Sequence, residues 1–544
     1  MREERLRPND VWSEYTSGMD YKTAIDLYDT VKVNENMYLG KQWEGVNAPD
    51  LPKPVLNIMK RVVSYQTSMI VSDDVAVSLT PHRPTADANQ VASIYSTEIE
   101  RIVEQAKVKD KHRDIIRNAA VDGDACLYLY FDPDVETGQD MKGDIRCELV
   151  ENINVYFGNP YVNDVQKQPY IIIAQRRTVK DAKAEAKKNG IKDWELITAD
   201  EDTNQQEKGD SNLCTVLIRM WKENGTVHVL KTTREVMVQE PHDMGYRLYP
   251  ISWMSWERVK SSYHGQATIT GLVPNQISIN RLFAMTIRSV EANAFPKIIF
   301  DKTRIKNWSN RVGEAIAANG DVSGVLAQPI RGGDVSSQVM QVIDSTINLT
   351  RDFMGASDAA LGNVKPDNTS AIIAVQQASA VPLELQKRDF FRFVNDYVEI
   401  IMDIMRADYG VRTVTVTDPE LIARFTSNIP QMIDPLTGMP IQPETPDYLD
   451  ITVDFGQMGN ADMTLKVDVG AAAYWSELMQ VQTLDNLFGK GIIQDAVTYL
   501  EGIPDKYLKN KQKIISHLKE RQKLMEQQAA QQQMMQTQAQ MPVM

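Results

Sequence analysis

Residues 265–294 carry apolar side chains on two sides of a helical pattern. Ile269, Val273, Ile277, Ala284 and Ile287, with Glu291, line one side; Leu272, Ile279, Phe283 and Val290 line the other. A helix with two apolar stripes has to bury both, so it needs neighbours on two sides. Pro274 fits the first turn of such a helix, which predicts a rod of roughly 30 Å ending before Phe295-Pro296. A second helical pattern runs from Val335 to Met354 through Val339, Val342, Ile343, Ile347 and Phe353. Between them, residues 295–333 read as a small module: strand-like Lys297 to Phe300, a short helix near Trp308 to Ala318, strand-like Val325 to Ile330, and a Gly332-Gly333 stop. Helix, module, helix predicts an antiparallel pair capped at one end.

The flanks add a mixed fold. Residues 10–45 and Ala88 to Ala120 each keep helical spacing and predict one helix apiece, with another over Val55 to Ile70. At Asp122-Gly123-Asp124 the period changes from helical to alternating. Strands are expected at Cys126–Phe131, Ile145–Val150, Tyr170–Gln175, Thr215–Trp221, Val227–Lys231 and Glu235–Gln239, interrupted by a helix over Val179–Lys188 and a polar loop over Asp200–Ser211. After the second helix come a polar loop, 355–368, and a helical pattern from Thr369 to Tyr409 that Pro382 should kink. Strand-like Arg412–Thr417 and Tyr448–Phe455 bracket a proline-rich stretch, and helices are expected over 471–488, 492–500 and 504–527. The final 19 residues hold eight Gln and four Met, a composition for a frayed or flexible tail. The fold class is therefore α+β, mainly helical, in a chain long enough for several structural units.

Composition narrows function. The net charge is −14, and a free-standing DNA grip is usually basic, so a chain this acidic that touches DNA is expected to guide or repel it rather than hold it. Three scattered cysteines give neither a disulfide framework nor a cysteine zinc site. No apolar run reaches membrane-spanning length, and the charged N-terminus lacks the apolar core of a secretory signal, so neither is expected. No phosphate-cradling G-x-x-x-x-G-K-[ST], HExxH, GxSxG or GxGxxG pattern occurs, and no cofactor is expected.

Four carboxylates, Asp122, Asp124, Asp132 and Asp134, bracket the first predicted strand. Clustered carboxylates hold Mg²⁺ in two-metal nucleases, which makes a metal-dependent nuclease one alternative. The plainer reading makes them turn residues. The six histidines are isolated in sequence and read as structural. Around the insertion, Lys297, Lys302, Arg304, Lys306 and Arg311 face one acid, Asp301, a local contrast suited to docking an acidic partner. Arg281 with Arg288, and Asp344 with Arg351, are spaced seven apart on the paired helices, placing each pair on one face.

The order of parts resembles the portal proteins of tailed bacteriophages. The residues carrying it are Asn36-Met-Tyr-Leu-Gly-Lys-Gln-Trp43, Asp122 through Asp134, Gln276-Ile-Ser-Ile-Asn280, and Leu361-Gly followed by Asn368-Thr-Ser-Ala371. The resemblance spans about residues 10–525 and is closest to portals of short-tailed phages. It implies a homo-oligomeric ring of about twelve copies around a DNA channel. Mapped here, it implies a wing over 1–260 and 410–465, stem helices over 265–294 and 335–354, a clip over 295–334, and a tunnel loop over 355–368. The long kinked helix would be 369–409, the crown 470–525 and the tail 526–544. It implies no catalysis. Asn363, Lys365, Asp367 and Asn368 would contact passing double-stranded DNA, and Arg281, Arg288, Asp344 and Arg351 would lie on the stem. The basic insertion would dock the terminase large subunit and later a tail adaptor. Major capsid and scaffolding proteins are the other implied partners. The setting would be a capsid vertex of the virion, reached through the host cytoplasm, with no membrane. The remaining alternative is another virion structural protein, such as a tail adaptor.

Overall fold

A computed structural model describes residues 6–71, 75–81, 85–139, 141–200, 212–295, 297–309, 311, 315–330, 337–354, 381–416, 422, 448–458, 465–471, 481, 484–490, 495–503, 511, 513–518 and 521. The chain divides into two compact units, one of residues 1–72 and 78–468, the other of residues 73–77 and 469–544.

The first unit opens with helices α1 (Pro8–Ala24), α2 (Leu27–Leu39) and α3 (Ile58–Val71), then strand β1 (Val75–Pro81), which runs on from the second unit. Helices α4 (Ala86–Gln105) and α5 (Val108–Asp122) follow. The two long helices expected over 10–45 and 88–120 are each broken in two. The breaks fall at Asp26 (φ 53°) and Lys107 (φ 50°), non-glycine residues in the left-handed region that end one helix and start the next.

Two antiparallel sheets form the centre. One has the order β3 (Asp144–Val150), β2 (Asp124–Asp132), β9 (Ile251–Ser255), with Cys126 paired to Val150 on one side and Trp253 on the other. The other runs β4 (Val155–Phe157), β5 (Tyr170–Thr178), β6 (Leu213–Glu223), β7 (Thr226–Thr232), β8 (Met237–Asp243) in chain order. Adjacent residues of β6 explain how helices cover both its faces. Val216 packs with Ala182 and Ala186 of α6 (Val179–Lys188), whereas Leu217 packs with Val11 of α1. The first sheet is covered by α5 and by the later helix α9 (Glu384–Ile404). The α9 face made of Phe390, Phe393, Val394, Tyr397, Val398 and Ile401 repeats at three and four residues and is buried.

Short strands β10 (Glu257–Arg258) and β11 (Gly265–Gln266) lead into α7 (Thr268–Ala294). Pro274 lies one turn deeper in α7 than expected, because the helix starts earlier than a proline-first reading allows. Strands β12 (Lys297–Phe300) and β13 (Ala327–Ile330) pair antiparallel, and α8 (Ser337–Phe353) returns along α7. The short helix expected over 308–318 is absent among the described residues of that stretch. After α9 a wide turn, Met405–Tyr409, leads into the antiparallel pair β14 (Val411–Val416) and β15 (Leu449–Asp454). Strand β16 (Leu465–Ala471) begins in the first unit and ends in the second. The strands expected at 412–417 and 448–455 are thus present. Residues 355–380 lie outside the described residues, so the expected loop and first part of the long helix do too; Pro382 sits in a 3₁₀ turn directly before α9.

In the second unit, helix α10 (Ala496–Glu501) places Tyr499 against Phe488, ring centroids 4.5 Å apart, and Val497 and Ile503 are buried. Among the described residues no helix is long and apolar enough to cross a membrane.

Candidate functional site

The α7–α8 hairpin is the feature that the sequence singled out, and its two halves differ. In the root half of α7, Ile269, Leu272, Gln276, Ile279, Asn280 and Ala284 are buried against α2, α3 and α5. Beyond Ala284 no residue of α7 is buried, and Val290 is 58% exposed. Both expected stripes contribute to the buried root, Ile269 and Ala284 from one and Leu272 and Ile279 from the other, while Ile277 of the first stripe and Val290 of the second remain exposed.

Helix α8 divides by face rather than by half. Ile343 and Thr350 are buried, and Asn275 donates to the Thr350 hydroxyl at 3.2 Å, tying the two helices together. Val342, Leu349 and Phe353 fall within a narrow arc at intervals of seven and four, and all three are exposed, Phe353 by 79%. An apolar helical face of this kind has no covering among the described residues.

The tip is a small folded module. Phe300 stacks on Trp308 at 5.4 Å, Ile305 is buried, and Asp301 accepts from the Thr303 hydroxyl at 2.5 Å and from its amide at 2.9 Å. These hydrogen bonds hold the Asp301 carboxyl below its ordinary value although it is exposed. Lys297, Lys302, Arg304, Lys306 and Arg311 are all exposed. Arg304 approaches Asp301 at only 3.7 Å, and among the described residues no carboxylate pairs with Lys297, Lys302, Lys306 or Arg311. The basic surface expected at the insertion is therefore presented to solvent.

Of the predicted stem charges, Arg281, Arg288 and Asp344 are exposed and Arg351 is half-buried. Neither Arg281 nor Arg288 pairs with Asp344 within the chain; Arg288 donates instead to the Asp50 carbonyl. Asn363, Lys365, Asp367 and Asn368 lie outside the described residues.

The four aspartates do not converge. Asp124 and Asp132 occupy opposite ends of β2, roughly 26 Å apart at strand rise. Asp132 and Asp134 are turn residues as expected: Asp132 accepts the Asp134 amide at 3.1 Å, and Asp134 pairs with Lys188 at 2.5 Å. Asp124 is not a turn residue. It is buried in the strand and accepts from the Gly265 amide and the His264 Nδ1, both at 2.8 Å. Burial keeps His264 below its ordinary value against the pull of Asp124. Asp122 ends α5, where burial first, then Glu35, push its carboxyl up to about 7. Among the described residues no three His, Cys, Asp or Glu side chains are grouped to hold a metal ion.

Sequence reasoning missed the link between two of its own segments. Gln42 and the Gln276–Asn280 turn meet in a buried chain of amides: Asn280 donates to Gln42 Oε1 at 2.5 Å, and Gln276 donates to Asn280 Oδ1 at 3.0 Å and to the Leu56 carbonyl at 2.6 Å. The available signal was a pair of amides four apart on an otherwise apolar helical face. Lys22, also missed, is fully buried and donates to the Asn152 and Val155 carbonyls at 2.8 and 2.7 Å. No protein-family model matches the chain, and no curated protein matches it.

Proposed function

We propose that this chain is the protomer of a phage portal: a ring at one capsid vertex through which double-stranded DNA is packaged, retained and ejected. The observation that carries the reading is the α8 face of Val342, Leu349 and Phe353, apolar and exposed on a hairpin whose root its own chain already buries. Exposed apolar surface repeated along a helix favours association, and identical copies meeting head to tail through such a surface form a ring when the rotation between them closes. In this reading α7 and α8 are the stem and the β12–β13 module is the clip.

The charge distribution supports the same reading. DNA carries one negative charge per roughly 1.7 Å of axis, so a strongly basic bore would hold it. A chain of net charge −14 lets the duplex slide, with Lys365, Asn363, Asp367 and Asn368 in the tunnel loop giving transient contacts. Lys297, Lys302, Lys306 and Arg311 at the tip are then available to dock the terminase large subunit during packaging and a tail adaptor afterwards. The protomer is not an enzyme in this scheme, and the motor hydrolyses the nucleotide.

Native mass spectrometry and electron microscopy of the purified chain test the proposal. Closed rings with an axial hole are expected, and Val342→Glu with Leu349→Glu should leave the monomer melt in place while abolishing rings. A persistent wild-type monomer, or rings untouched by both substitutions, would sink it.

A further inference from the structure

The segment between α2 and α3, residues 40–57, lies along α7 and touches it at three heights. Near the root, the Leu56 carbonyl accepts from Gln276 Nε2 at 2.6 Å, and Gln276 Oε1 accepts the Ile58 amide at 3.1 Å. One turn on, Gln42 Oε1 accepts from Asn280, while Gln42 Nε2 donates to the Met37 carbonyl at 3.0 Å. Three turns beyond Gln276, Arg288 donates to the Asp50 carbonyl. We infer that residues 40–57 are a strap that sets the aim of the α7–α8 hairpin, fixed at the root and releasable at Asp50.

The two ends differ in physical character. Gln276, Asn280 and Gln42 are 1%, 4% and 7% exposed. Breaking an amide contact there leaves a buried donor or acceptor unpaired, at the full desolvation cost of that group. Their donors and acceptors also run in one direction along the chain of amides. An apolar helix interface tolerates sliding by a turn; this one does not, because a slip unpairs several groups at once. Asp50 and Arg288 are exposed, so water replaces their contact at small cost. Asn57 closes the strap's far end, donating to the Tyr38 carbonyl at 2.9 Å and accepting the Lys60 amide at 3.0 Å. Motion of the strap's middle therefore bears on the outer half of α7, where no residue is buried, while the root stays put.

This inference concerns contacts within one chain and holds whether or not copies close into a ring. Hydrogen-exchange mass spectrometry on the full chain tests it. Arg288→Ala should speed exchange in residues 46–53 about fivefold or more and leave residues 272–284 unchanged. Gln42→Leu should speed exchange both in the strap and in residues 276–284. If Gln42→Leu does not fold, Gln276→Glu is read the same way: it keeps volume and the acceptor for the Ile58 amide but loses the donor. Arg288→Ala without effect on 46–53 overturns the releasable end. A root variant that leaves 276–284 unchanged overturns the fixed one.

Discussion

Gly123 and Gly265 meet backbone to backbone at the point where β2 begins and α7 is about to. A Cβ on Gly123 would lie 2.6 Å from the Gly265 carbonyl oxygen, and its φ of +96° is one that side-chain-bearing residues avoid. Gly225 has a similar φ of +89° with nothing within 4 Å. Gly225→Ala should therefore cost about 1 kcal/mol, from the backbone alone, and Gly123→Ala at least about 2 kcal/mol more; urea melts of the two variants measure the difference. Asp122 gives a second prediction. Its folded-state carboxyl is raised from 3.8 to about 7, so its contribution is intact below about pH 4 and lost as pH rises through 7. Asp122→Asn should gain on the order of 2 kcal/mol over wild type at pH 8 and almost nothing at pH 4. Equal gains at both values would show that the carboxylate is not the cause.

Among elements, the contact of α5 with α9 has its own pH signature. His112 Nε2 lies 3.2 Å from the Tyr397 hydroxyl, its ring meets Phe390 edge-on, and burial lowers it from 6.5 to about 4. A depressed histidine gives stability that is present above pH 6.5 and lost as pH falls toward 4. The denaturation midpoint should drop across that window, and His112→Gln should flatten the drop while lowering stability at pH 7. Legibility in the sequence also divides by element. Helix α6 and its flanking strands were readable because Val179–Lys188 has helical spacing between alternating runs. The breaks at Asp26 and Lys107 were not, since a left-handed lysine carries no compositional mark. Strand β4 is three residues long, below what alternation can register. The Asp124–His264 pair joins positions 140 apart, and no local pattern encodes such a meeting.

At the level of the whole molecule, the hairpin pattern was legible and the part of it left uncovered was not. Periodicity showed that α7 needs neighbours on two sides; it could not say that its own chain buries it only as far as Ala284. The net charge of −14 gives a prediction at this scale. Unassembled protein should show no retention of duplex DNA at about 0.15 M salt, where Debye screening over about 8 Å leaves the few basic tip residues to act alone. Gel-shift titration would check this, and micromolar binding by the monomer would contradict a sliding role.

The left-handed residues at Asp26 and Lys107 turn what reads as two long rods into four jointed ones. A joint of this kind has a fixed number of residues, because rotation about a helix axis is about 100° per residue. Adding or removing a single amino acid beside Asp26 would swing Asn34 away from the Val121 carbonyl it meets at 2.8 Å and from Thr270 at 2.9 Å. Length variation between natural variants of this chain should accordingly spare both hinges and collect instead in segments where no downstream rod has to keep its azimuth.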